Sequence, residues 1–112
     1  MHLSSTKSGD LQVIRVEETR IDAAVAIRFK DAMRAQMAEE ASRVVLDLRD
    51  VAFIDSSGLG AIVATMKHME RGQKLDLAGL TPAVDKVFRL TRMDSIFDIY
   101  ASADAALVSA AG

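Results

Sequence analysis

A chain of 112 residues, half of them hydrophobic, is long enough for one domain with a real core and leaves little room for a second. Fourteen basic and sixteen acidic residues give a net charge of −2 and are scattered without a basic block, so nucleic acid is not expected as a direct partner. The absence of cysteine removes disulfides, thiolate catalysis and cysteine-metal sites together.

The N-terminal "MHLSSTKSGD" lacks the apolar core of a signal peptide, which makes a cytoplasmic location the expectation. No apolar run approaches the roughly 20 residues needed to span a bilayer, since "AIVATM" is broken at Lys67; no direct membrane contact is expected. "LQVIRV", residues 11–16, alternates and is rich in β-branched residues, and so predicts a strand. Residues 3–7 are placed antiparallel to it as an edge strand, because Ser8 to Asp10 offer turn chemistry.

Asp22 looks like an N-cap for a helix running to about Glu40, with Val25, Phe29, Met33 and Met37 on its buried side. "VVLDL", residues 44–48, is a near-continuous apolar run of strand length, as expected for a central strand. A second helix opens near Ser57. "KLDLAGL", residues 74–80, predicts a strand, and Pro82 suits the first turn of a helix carrying Val84, Val87, Phe88 and Leu90. "IFDIY", residues 96–100, is a short last strand, and Ser102 is placed to cap a brief alanine-rich C-terminal helix. The order β-β-α-β-α-β-α-β-α implies an α/β fold: a mixed, mostly parallel sheet of four to five strands with an antiparallel edge strand and about four helices, over residues 1–112 as a single domain.

The junction "VAFIDSSGLGAIVATMKHM", residues 51–69, carries the chemistry of interest. Nucleophilic catalysis by a serine needs a base nearby, yet the histidines are His2 at the terminus and His68 about three turns along the helix, and the G-x-S-x-G elbow is missing. A phosphate cradle at Gly58 and Gly60 lacks the lysine and spacing of a P-loop. Helix capping by Asp55 or Ser56 is the plainest role for such residues. A phosphorylation switch is a further one: a phosphate on Ser56 adds about −1.5 to −2 charges at a helix N-terminus, where the fold tolerates them and a packed partner does not.

The helical wheel adds an independent observation. With Leu59, Ile62, Val63, Met66 and Met69 assigned to the core, the opposite face carries Ser57, Gly60, Ala61, Ala64 and His68. On the first helix Ile27 falls about 160° from the centre of the buried stripe by the 100° step, which leaves it exposed with Ala23 and Arg34 nearby. Such smooth faces are often neutral surface; beside the serine loop they suggest a docking patch.

"VVLDLRDVAFIDSSGLGAIVATMK" and "LAGLTPAVDKVFRLTRMDSIFDIY" together resemble the STAS domain of anti-sigma factor antagonists, small bacterial regulators also called anti-anti-sigma factors, over about residues 9–108. The resemblance implies that Ser56 is the phosphoacceptor, Asp55 helps present it, Ser57 is a secondary candidate, and Asp22 lies near the partner interface. It implies a non-enzymatic binding module without cofactor or metal. In its unphosphorylated form this module binds an anti-sigma factor with a histidine-kinase-like ATPase fold, and so frees a sigma factor. The partner's serine kinase activity ends the complex and a PP2C-type phosphatase restores it. The pattern departs from the family at Thr19 and Arg20, before Asp22, and at Arg92, which stands where the family has glycine. A constitutive scaffold of the same fold, as in stressosome or phospholipid-transport complexes, and a nucleotide or small-molecule sensor using the helix N-terminus at Gly58 are the alternatives.

Overall fold

The chain in order forms β1 (Leu3–Ser8), β2 (Leu11–Val16), β3 (Arg20–Ile21), α1 (Ala26–Gln36), β4 (Arg43–Asp47), β5 (Phe53–Ile54), α2 (Ser56–Lys67), β6 (Lys74–Ala78), α3 (Pro82–Leu90), β7 (Ile99–Tyr100) and α4 (Ala103–Ala111). This computed structural model describes residues 1–111, with side chains through Val108. Five strands make a mixed sheet in the order β1-β2-β4-β6-β7, antiparallel between β1 and β2 and parallel elsewhere. The expected edge hairpin is present, with Gly9 at φ 63° turning the chain between its strands.

Alternation along β2 sends Ile14 and Val16 to one face, where with Val44, Leu46, Leu75 and Leu77 they meet Phe29, Met33, Ile62, Val84 and Phe88. The other face is covered more sparsely, by Ala106 of α4 over Leu11, Val45 and Ala78. Ser102 caps α4 as expected, accepting the Ala105 amide at 3.0 Å. Among the described residues no helix is long and apolar enough to cross a membrane.

Four expectations need correction, and one pairing was not foreseen. The first helix starts at Ala26, so Asp22 closes a preceding turn instead: its Oδ1 accepts the Ala24 amide and its carbonyl the Val25 amide, both at 3.1 Å. That helix stops at Gln36, because Met37 is extended and buried Gln12 occupies the place of another turn, donating to the Gln36 carbonyl at 2.6 Å and accepting the Ala38 amide at 2.8 Å. Leu90 is 74% exposed instead of joining Val84 and Phe88 in the core. The last strand shrinks to Ile99–Tyr100, since Arg92, in the left-handed region at φ 63°, opens a 3-10 turn over Met93–Ser95. Finally, β3 and β5 form a separate parallel pair with Arg20 opposite Phe53 and Ile21 opposite Ile54, a feature two-residue segments do not announce by alternation.

Candidate functional site

The β3–β5 pair positions the serine loop. Buried Ile54 ends β5, Asp55 turns the chain in extended conformation, and Ser56 begins α2. Asp55 is the N-cap: its Oδ1 accepts the Gly58 amide at 2.9 Å, satisfying one of the amides a helix start leaves free. Its Oδ2 accepts the Ala23 amide at 3.0 Å, so one carboxylate ties α2 to the segment that leads into α1. The Gly58 amide, above all, holds the Asp55 carboxyl below the usual carboxylate range, with the Ala23 and Ser57 amides acting in the same direction and desolvation opposing them.

Gly58 lies against β3. A Cβ there would stand 1.9 Å from the Ile21 carbonyl oxygen, so only glycine lets α2 approach this closely. Ser56 and Ser57 are both exposed at the first turn, and neither hydroxyl is engaged by the hydrogen bonds of the described residues. Phosphorylation of Ser56 would place its charge at the positive end of the α2 dipole, worth about 0.3–1 kcal/mol of stabilisation at an exposed position. The neighbouring Asp55 carboxylate would then share a concentrated anionic tip.

The structure brings Asp22, Ala23, Asp55, Ser56 and Ser57 together at one end of the molecule through the Asp55 bridge. Ile27, 69% exposed, follows on the first turn of α1, and Gly60 is exposed on the first turns of α2. Ala61 does not belong to the exposed face assigned to this helix, and Gly58, expected with the serines at the partner-binding loop, is not exposed either. Both are buried, Ala61 at 3% exposure, because α2 turns its smallest residues, with Ile62 and Thr65, toward its closest neighbours. Leu59, Val63, Met66 and Met69 sit half-buried on its flank, and Ala64 is half-buried as well. His68 is exposed but at the other end, about 18 Å from Ser56 by the helical rise.

Two residues at this end escape the sequence reading. Arg20 stacks its guanidinium 4.4 Å from the centroid of the Phe53 ring and pairs with Asp22 at 3.1 Å; Phe53 is 42% exposed. The signal was present only as an unexpected arginine before Asp22 and an aromatic residue before the serine loop. Together they add a polar-aromatic rim to the Ser56 face.

The STAS domain family model matches residues 2–106. The anti-sigma-B factor antagonist of Listeria monocytogenes is 32% identical over 80 residues, covering 70% of each chain. Among solved structures, an anti-sigma factor antagonist from Mycobacterium paratuberculosis superposes with a TM-score of 0.85 at 26% identity, covering 96% of this chain and 92% of its own. The phosphorylated form of the Bacillus cell fate determinant SpoIIAA shares the fold at a TM-score of 0.69 and 18% identity, covering 97% of this chain and 99% of its own.

Proposed function

The chain belongs to the STAS domain family, and from that premise we propose that it is an anti-sigma factor antagonist controlled by phosphorylation of Ser56. One observation carries the reading: Ser56 is exposed on the first turn of a helix whose cap, Asp55, is already fully engaged. A phosphate there changes the charge of the surface while every hydrogen bond that builds the loop stays in place. The fold is retained and the docking face is altered.

In this reading the unmodified face, made by Asp22, Ala23, Ile27, Phe53, Ser56, Ser57 and Gly60, binds an anti-sigma factor with a histidine-kinase-like ATPase fold and so releases a sigma factor. The partner's serine kinase activity modifies Ser56 and ends the complex, because the dianion faces desolvation and repulsion at a packed interface. A PP2C-type phosphatase resets the cycle. The chain is the substrate of these enzymes and works in the cytoplasm.

Phosphosite mapping of the protein purified from its own cells is the test. The phosphate is expected on Ser56 and is absent from Ser56→Ala, while phosphate on Ser57 or elsewhere sinks the assignment. Ser56→Asp is expected to weaken partner binding by about 2 kcal/mol or roughly thirtyfold. Unchanged affinity would favour the constitutive scaffold.

A further inference from the structure

A trough of about 200 Å³ separates the outer edges of α1 and α2, lined by Lys30, Arg34, Met37, Thr65 and His68. We infer that this trough is a docking groove for an acidic segment of the same protein partner that engages the Ser56 loop; the inference rests on the partner-binding reading above. The segment pairs carboxylates with Lys30 and Arg34 and sets an apolar side chain on Ile27.

The charge of the trough sets it apart. Four other clefts of the surface each contain a carboxylate: Asp47 and Asp104 in two of them, Glu17, Glu18 and Asp22 in a third, Asp85 in the fourth. This trough contains none, in a chain whose net charge is −2. Seven other cations, Lys7, Arg15, Arg20, Arg43, Arg49, Lys74 and Arg89, are held in ion pairs. Among the described residues Lys30, Arg34 and Lys67 beside His68 make no ion pair, and neither do Arg28, Arg71, Lys86 and Arg92, but of these seven it is Lys30 and Arg34 that line one of the five clefts. Complementing the negative ends of the two helix dipoles accounts for Arg34 and Lys67, which stand in last turns. It does not account for Lys30, in mid-helix and half-buried.

The apolar contact follows from helical spacing. Ile27, Lys30 and Arg34 stand at i, i+3 and i+7, one stripe of α1, and Ile27 is the member nearest the serine end. Exposed Ser57 and Gly60, half-buried Ala64 and exposed His68 run along α2 beside it. Thr65 does not compete for the incoming carboxylates, because its hydroxyl donates to the Ala61 carbonyl at 2.9 Å. Asp31, also exposed on α1, lies about 40° beyond Ile27, away from Lys30, and marks the acidic limit of the stripe. A partner element laid along the trough therefore meets a cationic stretch, then Ile27, then the switch serine.

The test uses the purified partner kinase and the full chain carrying Ser56→Ala, which prevents turnover, at low and high salt. Lys30→Glu with Arg34→Glu is expected to lower the association rate constant by about tenfold to a hundredfold at low salt, and to flatten its salt dependence. Lys30→Gln with Arg34→Gln should fall between, and Ile27→Asp should raise the dissociation rate. Circular dichroism checks that each variant is folded. An association rate and salt slope equal to the parent's overturn the inference. So does binding of inorganic phosphate or citrate to the trough with no effect of these variants on the kinase. Ser56→Asp, measured alongside, separates the two ideas: if it binds like the wild type, the switch fails whatever the trough variants do.

Discussion

The two parallel helices that flank the candidate site begin in different ways. The start of α2 is capped by Asp55 and pressed by Gly58 onto the Ile21 carbonyl. The start of α1 has Val25 at its N-cap and no side-chain bond to it. What holds the segment before α1 is the second oxygen of Asp55, on the Ala23 amide, together with the turn closed by Asp22. One helix start is self-sufficient and the other depends on it, so the face built from both is only as well defined as the Asp55 bridge.

Breaking the self-sufficient side should have the largest effect. Gly58→Ala drives a methyl into the β3 backbone and is expected to cost about 3 kcal/mol or more, read by chemical denaturation. Asp55→Ala removes the cap of α2 and the tie to α1 together. A melting midpoint lower by roughly 5 °C is expected, with faster amide exchange at Ala23 as well as at Gly58; exchange confined to Gly58 would refute the shared bridge. Away from both starts, Arg92→Gly relieves a left-handed backbone and should stabilise by about 1 kcal/mol, which contrasts strain at the 3-10 turn with its absence at Asp55. Ser56→Ala, at an exposed position without side-chain partners, should change stability by less than about 0.5 kcal/mol while abolishing the proposed modification.

The same bridge gives a pH dependence of definite sign. The Asp55 carboxyl is lowered in the folded state, so its contribution is present above the ordinary carboxylate range near about pH 4 and is lost as pH falls through the lower folded value. Asp50, lowered by its hydrogen bond from Arg15, and Glu40, lowered by Lys7, titrate in the same direction. Asp55→Asn should therefore reduce the acid loss of stability without removing it, as measured by denaturation between pH 5 and pH 2 at roughly unit steps.

Local signals made most of this fold legible. The alternation of "LQVIRV", the apolar run before the serine loop, Pro82 at the third helix and Ser102 at the fourth each carry their structure in neighbouring residues, and each is found in place. What failed was set by distant partners. Large side chains pulled the expected core face of α2 toward Leu59 and Met66, whereas a close approach of backbones selects small residues, and Gly58 and Ala61 are buried for that reason. Nothing near Asp22 announces that its turn stops short of the helix, because the bond that stabilises the turn's other amide comes from Asp55, more than thirty residues away. At the site, the Asp-Ser-Ser-Gly stretch was readable as a capped helix start, and Arg20 with Phe53 was not, since their meeting requires the pairing of β3 with β5.

The Asp55 bridge also bears on the speed of the partner exchange we propose. Because both carboxylate oxygens are occupied in the free chain, the loop is ordered before any encounter, and association need not wait for it to fold. Binding to such a preformed face should show a heat-capacity change no larger than its own buried apolar area requires, without the excess that marks coupled folding. A regulator built this way can let go of one partner and take another at rates governed by the surface itself.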